Sequence, residues 1–223
     1  MAGLRYENKY LLHTSAALVL RPRLEAIAAL DKHAGNGAYF IRSLYFDDIQ
    51  NIALHEKIDG VEKREKWRIR YYNRDTSFLV LESKQKLGKM TRKLSARLTL
   101  RQAIELQNGN PSVLYGCDDP VLQRFYHQAA MHILRPCVIV DYTRVPFVFR
   151  DVRITFDVNL HSGNQSVDFL NPNIPTIPVF PGDRMILEVK YNEKLPDTFR
   201  RALSAVPTPP IAVSKFRLCR QMQ

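Results

Sequence analysis

The stretch KWRIRYYN, residues 66–73, alternates in a way that decides the fold. Arg68 and Arg70 stand two positions apart, so on a β-strand they share a face. The opposite face then carries Trp67, Ile69 and Tyr71. One face of this strand is therefore aromatic and aliphatic, and the other presents two neighbouring guanidinium groups.

The same alternation recurs along the chain. Paired ionisable residues at i and i+2 occur in RYENKY (Arg5, Glu7, Lys9), LVLESKQKL (Glu82, Lys84, Lys86), VRITFDV (Arg153, Thr155, Asp157) and MILEVKY (Glu188, Lys190). VDYTRVPFV adds Arg144. The apolar faces of these strands must pack on something, most simply on surrounding helices, so the charged faces point away from the core.

Two architectures satisfy this pattern. In an open sheet, the charged face lies on solvent; in a closed barrel, helices pack outside and the charged residues line a wet interior. Solvent-facing strands usually mix Lys, Thr, Ser, Gln and Glu, whereas the recurring elements here are Arg–x–Arg, Glu–x–Lys and Arg–x–Thr–x–Asp. These residue types favour the barrel, although the alternation alone leaves both architectures open.

A barrel interior of this composition needs an anionic occupant. Seven cations (Lys9, Arg68, Arg70, Lys84, Arg144, Arg153, Lys190) would face four acids (Glu7, Glu82, Asp157, Glu188). Repulsion between confined cations costs on the order of kcal/mol per pair even at an effective dielectric constant of about 20. A polyanion would relieve it, and a hard divalent cation bridging carboxylate and phosphate oxygens would explain the minority acids. The pattern predicts metal-assisted phosphoryl chemistry.

The whole composition agrees with an anionic partner. The chain of 223 residues carries a formal net charge of +11, which points to nucleic acid, anionic lipid or polyphosphate. Three widely separated cysteines form no CxxC pair, which disfavours a zinc or redox motif and suits a reducing compartment. No signal peptide or membrane-spanning run is expected, so a cytoplasmic protein is predicted, with any place at the inner face of a membrane requiring a partner chain.

Local signals predict one α+β domain over residues 1–223. Residues 13–33 read as a helix with Thr14 or Ser15 as N-cap and a break at Pro22. Further helices are predicted at 99–109, 118–136 and 197–206, and a long loop at 161–183. Strands are predicted at 39–48, at 61–73 and 77–87 as a hairpin around Asn73–Asp75, and at 137–149, 152–160 and 184–192.

Eight motifs in order carry a family resemblance: RYENKY, SLYFDD, KWRIRYY, LESKQK, DYTRVPF, RITFD, ILEVKY and VSKF. From about residue 5 to 216 the chain resembles the VTC domain, the polyphosphate polymerase module of the vacuolar transporter chaperone complex, and especially its bacterial homologues. That domain belongs to the triphosphate tunnel metalloenzyme superfamily, with RNA triphosphatases, thiamine triphosphatase and class IV adenylyl cyclases. The resemblance implies an antiparallel eight-stranded β-barrel, the triphosphate tunnel, with helices packed outside.

The resemblance also implies roles for individual residues. Arg68, Arg70, Lys84 and Lys190 match cations that act on the transferred phosphoryl group. Lys9, Arg144, Arg153, Ser214 and Lys215 match phosphate-binding positions, as does Lys93, for which Arg92 is the alternative. Glu188 matches the ligand of Mn²⁺ or Mg²⁺, with Glu7 as a second ligand.

The implied function is a polyphosphate polymerase that transfers the γ-phosphate of ATP to a growing inorganic polyphosphate chain. Arg5 replaces the first acid of the superfamily's Glu–x–Glu–x–Lys motif, which matches the polymerase branch. The alternatives are a tripolyphosphate or nucleoside triphosphate hydrolase of the same superfamily and a non-catalytic polyphosphate- or RNA-binding module. Nucleic acid is not the expected partner, because the aromatic residues lie opposite the charges, whereas RNA readers expose stacking aromatics. The sequence leaves the oligomeric state open.

Overall fold

The computed structural model describes residues 3–206 and 209–223. Its strands are β1 (Arg5–His13), β2 (Ala29–Leu30), β3 (Tyr39–Asp47), β4 (Lys63–Tyr72), β5 (Asp75–Leu87), β6 (Met90–Leu98), β7 (Arg135–Phe149), β8 (Val152–Ser162), β9 (Ile177–Pro178) and β10 (Arg184–Tyr191). Its α-helices are α1 (Thr14–Glu25), α2 (Ile52–Ile58), α3 (Leu100–Gln107), α4 (Pro120–His132), α5 (Asp197–Leu203) and α6 (Lys215–Arg220). Short 3₁₀ turns span Lys32–Ala34 and Pro111–Leu114.

Eight of these strands close into an antiparallel barrel. Their order is β7-β3-β4-β5-β6-β1-β10-β8, and β8 pairs back onto β7. The short strands β2 and β9 extend the sheet beside β7 and β8. The predicted α+β fold, an eight-stranded barrel with helices outside, is confirmed, and the open sheet is excluded.

The hairpin turn that joins β4 to β5 fixes the register between these two strands. Asn73 and Arg74 form its two-residue turn with φ of 50° and 61°, as a type I′ turn requires. The Asn73 side chain accepts a hydrogen bond of 2.9 Å from the Phe40 backbone N–H, which ties the turn to β3. The predicted hairpin around Asn73–Asp75 is therefore confirmed.

The helices pack on the outer face of the barrel. Trp67, Ile69 and Tyr71 lie in one buried cluster with Phe125 of α4. On the other side, Leu20 of α1 packs in a second cluster with residues of β8, β10 and α5. The outward position of the aromatic and aliphatic residues of β4 is what turns Arg68 and Arg70 inward.

A third cluster closes one end of the barrel. Tyr45, Val140 and Ile186 pack there with Phe216 of the C-terminal helix α6. The Tyr45 and Phe216 rings lie 5.1 Å apart between centroids. This helix was not among the sequence predictions, and neither were α2 and β6.

The prediction for residues 13–33 is wrong in three respects. The N-cap is His13, while the Thr14 hydroxyl donates to the Asp183 carbonyl at 3.0 Å. Helix α1 passes through Pro22 and ends at Glu25. Proline forgoes the hydrogen bond to the carbonyl four residues earlier, and that residue, Leu18, is 69% exposed, so water can satisfy its carbonyl.

Three other boundaries also differ from the prediction. Residues Ala29–Leu30, expected as helix, pair instead with Val148 and Phe147 of β7. Helix α4 ends at His132 because Ile133 adopts a left-handed φ of 52°, and β7 begins at Arg135. The predicted loop 161–183 includes the end of β8 and the short strand β9. In the described residues, no helix combines the length and the apolar character needed to cross a membrane.

Candidate functional site

The interior of the barrel encloses a cavity of about 470 Å³, which we call the tunnel. Each of the eight barrel strands contributes at least one polar or charged side chain to its wall. All the site residues singled out in the sequence line it: Glu7, Lys9, Arg68, Arg70, Lys84, Lys93, Arg144, Arg153, Glu188, Lys190, Ser214 and Lys215. The structure thus brings them together, while their individual roles stay predictions.

Glu82 of β5 organises the cations of β4 and β6. It accepts from Arg68 Nε at 2.8 Å and from Lys93 Nζ at 2.7 Å, and its Oε2 lies 3.5 Å from Arg70 Nη1. Burial opposes its ionisation, but Arg68, Arg70 and Lys93 together hold the pKa of Glu82 well below its ordinary value. Glu82 therefore remains a carboxylate that fixes these cations relative to one another.

The two arginines of β4 are also held by hydroxyl groups. Arg68 Nη1 donates to the Tyr45 hydroxyl at 2.7 Å. Arg70 donates to the Ser43 hydroxyl at 2.9 Å and to the Tyr142 hydroxyl at 3.1 Å. Because these partners are neutral, the positive charge that Glu82 does not balance remains available to an anion in the tunnel.

Glu188 of β10 is a second buried carboxylate that pairs with several cations, and the residue is only 4% exposed. Its carboxylate oxygens lie 2.8 Å from Lys190 Nζ, 2.7 Å from Lys215 Nζ, 3.3 Å from Lys9 Nζ and 3.3 Å from Arg144 Nη2. Burial opposes the charge, but the ammonium groups of Lys190 and Lys215 lead the cations that lower the pKa of Glu188 well below its ordinary value.

Asp157 of β8 lies next to this group. Arg144 donates to both of its oxygens, from Nε at 2.6 Å and from Nη2 at 2.7 Å, and Lys215 forms an ion pair with it. This bidentate geometry holds the guanidinium in one plane. Lys215 is thereby shared between Asp157 and Glu188, which draws the C-terminal helix α6 into the tunnel wall.

Glu7 of β1 completes the set of tunnel carboxylates described here. Both of its oxygens accept from Lys84 Nζ at 2.7 Å, and Lys9 Nζ lies 3.2 Å away. Burial opposes the charge, but Lys84, Lys9 and Lys190 together lower the pKa of Glu7. Because Lys9 also contacts Glu188, its ammonium group bridges the two carboxylates that the resemblance assigns to a metal.

The register of β5 and β6 decides which cation of the pair Arg92 and Lys93 faces the tunnel. Lys93 lies directly opposite Lys84, a tunnel residue, whereas Arg92 lies opposite Gln85 and donates to its side chain at 2.7 Å. Directly opposed residues share a face of the sheet. Lys93 is therefore the residue on the inward face of β6, while Arg92 also borders the cavity and is held by Gln85.

Arg153 and Ser214 lie at the margins of the tunnel. Arg153 pairs with Asp31 at 2.9 Å and donates to the Tyr39 hydroxyl at 2.8 Å. Ser214 is the N-cap of α6, and its hydroxyl also lies 3.4 Å from Lys66 Nζ. Both residues border the cavity while serving local structural contacts.

The structure adds five cations that the sequence reasoning did not assign to the site: Arg5, Lys57, Arg64, Lys66 and Lys86. A signal was present for four of them, since Arg5 already shared the face of Glu7 and Lys9 on β1. Arg64 and Lys66 continue the alternation of Arg68 and Arg70 towards the start of β4, and Lys86 follows Lys84 on β5. Lys57 lies on α2, which was not predicted, so no pattern connected it to the barrel.

The donor set suits a divalent cation that is held together with phosphate. Glu7 and Glu188 offer the carboxylate oxygens that hard cations prefer, on either side of Lys9. Among the described residues, no group of three or more His, Cys, Asp or Glu side chains is arranged to hold a metal ion. Mg²⁺ is commonly bound through one or two carboxylates plus substrate phosphates and water, and the residues present fit that mode.

A closed antiparallel barrel with a cationic, carboxylate-studded interior defines the class of triphosphate tunnel proteins, and solved structures agree. A candidate adenylyl cyclase of Hippeastrum, described with a dominant triphosphatase activity, matches with a TM-score of 0.60 at 14% identity over 99% of this chain and 96% of its own. A candidate adenylate cyclase of Bacillus halodurans matches with a TM-score of 0.54 at 14% identity over 92% and 94%. At these identities, the likeness shows the shared fold.

Within that class, the family is specific. The chain belongs to the VTC domain family, whose model matches residues 4–222. No curated protein matches the sequence. Family and fold together support a triphosphate tunnel enzyme.

Proposed function

We propose that the protein is a polyphosphate polymerase that transfers the γ-phosphoryl group of ATP to the end of an inorganic polyphosphate chain. The observation that carries the proposal is the convergence of arginines and lysines from the barrel strands on one enclosed cavity. Arginine binds phosphate oxygens through parallel N–H donors and lysine binds them as a point charge. ATP and inorganic polyphosphate are the proposed partners, and a membrane-bound partner chain stays a prediction.

The state of the tunnel carboxylates favours transfer to phosphate over transfer to water. Glu7, Glu82, Asp157 and Glu188 each contact at least two cations, and the pKa of each is lowered. A carboxylate with a lowered pKa is a weak general base for activating water. No histidine of the described residues lines the tunnel. A terminal phosphate near neutral pH is already largely ionised and needs no such base.

In the proposed reaction, an oxygen of the acceptor phosphate attacks the γ-phosphorus of ATP. The bond between the γ-phosphorus and the β–γ bridging oxygen breaks, and ADP leaves with that oxygen. Arg68, Arg70, Lys84 and Lys190 would bind the transferred group and stabilise the charge that shifts to the leaving oxygen. Positioning and electrostatic stabilisation then supply the acceleration.

A divalent cation fits this scheme. Mn²⁺ or Mg²⁺, held by Glu188 and Glu7 together with phosphate oxygens, would neutralise part of the triphosphate charge. Lys9, which bridges these carboxylates, would then be released to contact phosphate. Lys93, Arg144, Arg153, Ser214 and Lys215 would bind the remaining phosphates.

The second candidate is hydrolysis of tripolyphosphate or a nucleoside triphosphate in the same tunnel. It is favoured by the fold shared with the Hippeastrum protein, for which triphosphatase activity is described. A non-catalytic polyphosphate- or RNA-binding module is less well supported. The aromatic residues Trp67 and Tyr71 are buried in the outer core, where they cannot stack on bases.

Incubation of the purified protein with ATP and Mn²⁺ separates these candidates. Long polymer on polyacrylamide gels supports the polymerase, and free phosphate without polymer supports the hydrolase. Binding of polyphosphate with no turnover of ATP supports the binding module.

Two variants test the assigned residues. Arg70→Ala and Lys190→Ala are expected to lower polymer yield about a hundredfold or more, the effect of removing a donor to the transition state. Lys63→Ala and Lys194→Ala are matched controls, because both lysines are exposed and lie outside the tunnel wall. Unchanged polymer from both tunnel variants would contradict the proposal.

A further inference from the structure

Four cations lie together where β4 begins and β5 ends. We call Lys57, Arg64, Lys66 and Lys86 the mouth cluster. Arg64 lies directly opposite Lys86 in the β4–β5 register, and Lys66 lies directly opposite Lys84. Like charges placed directly opposite each other destabilise a sheet. The fold therefore carries two repulsive cross-strand pairs next to each other at this end of the tunnel.

Glu56 and Glu7 act on the cluster only from beyond ion-pair distance in the part of the chain that the structure describes. Among the described residues, none of its four members forms an ion pair within 4.0 Å. Lys57 donates to the Ala212 carbonyl at 2.8 Å, Arg64 donates to the Val61 carbonyl, and Lys66 Nζ lies 3.4 Å from the Ser214 hydroxyl. These partners are neutral, so they orient the side chains without offsetting their charge.

The protonated forms of Lys57 and Lys66 are destabilised in the folded protein. Burial, together with Lys9, Lys57 and other neighbouring cations, lowers the pKa of Lys66 to about 6. Burial and Arg64 lead the causes that lower the pKa of Lys57 to about 8. The only acid among the causes that act on Arg64 is Glu56, which forms no ion pair with it in the described residues. An anion bound here would offset the repulsion and restore the protons.

We propose that the mouth cluster is a second phosphate-binding subsite, which holds the part of an inorganic polyphosphate chain that extends beyond the triphosphate unit. This inference rests on the proposed function of the tunnel. From Arg64 to Arg70, the cationic face of β4 is continuous and spans roughly 20 Å at about 3.3 Å per residue. That row is longer than a triphosphate group, so a chain bound at Arg68 and Arg70 continues along it to the cluster.

The cluster fits inorganic phosphate better than a nucleic acid. Single-stranded nucleic acids are held by aromatic rings on which bases stack. The aromatic rings beside the cluster already have packing partners. Phe216 packs against Tyr45, and Lys66 Nζ lies 4.6 Å from the centroid of the Phe216 ring. Lysines, which bind as point charges with rotatable donors, suit a flexible chain of identical phosphates.

The test is a direct binding measurement without nucleotide or turnover. Tripolyphosphate and a long polyphosphate are titrated into the wild-type protein and into the double variant Lys66→Gln/Lys86→Gln, at equal ionic strength. The double variant is expected to lose about tenfold more affinity for the long chain than for tripolyphosphate, since charge-assisted contacts to the distal phosphates disappear. Lys63→Gln/Lys89→Gln, which removes two exposed lysines of the same β4–β5 region, is expected to leave the ratio of affinities unchanged.

Each outcome decides the inference. An equal loss for both ligands, or no loss for the long chain, overturns it. Tighter binding of a single-stranded RNA than of polyphosphate, lost in the same double variant, also overturns it in favour of a nucleic-acid surface. A thermal unfolding curve like that of the wild type shows that the double variant is folded. If ATP yields no polymer but the ratio changes as expected, the polymerase proposal fails and the subsite stands.

Discussion

The two parts of the tunnel differ in how their positive charge is balanced. Around Glu82 and Glu188, cations contact a buried carboxylate at hydrogen-bond distance. In the mouth cluster, the donors meet only carbonyl and hydroxyl oxygens. The Glu82 group and the mouth cluster share strands β4 and β5, so the difference between those two comes from which residues the register places opposite one another.

Because of this difference, one part of the tunnel holds its cations already oriented, and the other part attracts an anion more strongly. A cation that is ion-paired to a buried carboxylate is already oriented, and it can bind a triphosphate without reorganising at the moment of reaction. An unbalanced cation is higher in energy alone and gains more when an anion arrives. The carboxylate-paired region is therefore suited to positioning the reacting phosphates, and the mouth cluster to drawing in and holding a chain.

The largest expected effect comes from removing charge in the carboxylate-paired region. Glu82→Gln should lower the free energy of unfolding by about 3–5 kcal/mol, because Arg68, Arg70 and Lys93 lose the carboxylate that compensates them in a buried site. Urea denaturation in phosphate-free buffer measures this change.

The exposed Glu62 on the preceding segment provides the control for Glu82. Glu62→Gln should change the free energy of unfolding by less than about 0.5 kcal/mol. Tripolyphosphate should restore part of the stability lost in Glu82→Gln, since it supplies the missing negative charge. A Glu82→Gln protein as stable as the Glu62→Gln control would mean that the cations do not depend on the carboxylate.

The sequence was sufficient for the barrel because its signal is local and repeated. The outward face of β4 had to be buried and the inward face, with Arg68 and Arg70, could not be. The same reasoning applied to every strand with an alternating pattern, and the family resemblance then supplied closure. Helix α6, by contrast, is only six residues long, and its place over the barrel end depends on the distant contacts of Lys215 with Asp157 and Glu188.

The site was only partly predictable because its decisive contacts depend on register. Arg64 opposite Lys86 cannot be read from either strand alone, nor can the choice of Lys93 over Arg92. Lys57 reaches the tunnel from α2 by packing that leaves no sequence pattern. Pro22 misled the prediction for α1, because a proline is tolerated where the carbonyl that loses its partner faces water. The assignment of residues 1–223 to one domain stays a prediction.

A smaller effect, opposite in sign, is expected in the mouth cluster. Lys66→Met should raise the free energy of unfolding by about 1 kcal/mol or more, because burial and neighbouring cations lower the pKa of Lys66 to about 6 and folding at pH 7 must therefore remove a proton that the unfolded lysine keeps. Urea denaturation at pH 7 in phosphate-free buffer measures the gain. Lys63→Met, on the opposite face of the strand, should change stability by less than about 0.5 kcal/mol. A loss of stability in Lys66→Met would erase the distinction between the two regions.

The pH dependence of the stability gain in Lys66→Met is the smallest effect that tests the difference between the two parts of the tunnel. Lys66 has a pKa lowered to about 6 in the folded protein, under the influence of burial and of Lys9, Lys57, Lys84 and Arg64, whereas an unfolded lysine titrates near 10.4. Between pH 7 and 9, the unfolded state therefore holds a proton that the folded state has released, so this residue makes stability rise with pH.

Methionine cannot titrate, so Lys66→Met lacks that contribution. The advantage of Lys66→Met over the wild type should consequently shrink as the pH rises from 7 to 9, measured by urea denaturation at each pH. The influence of Lys57, whose pKa is lowered to about 8, is common to both proteins and drops out of the difference to first order. An advantage that stayed constant with pH would show that Lys66 keeps its proton in the folded state, and that the charge of the mouth cluster is balanced after all.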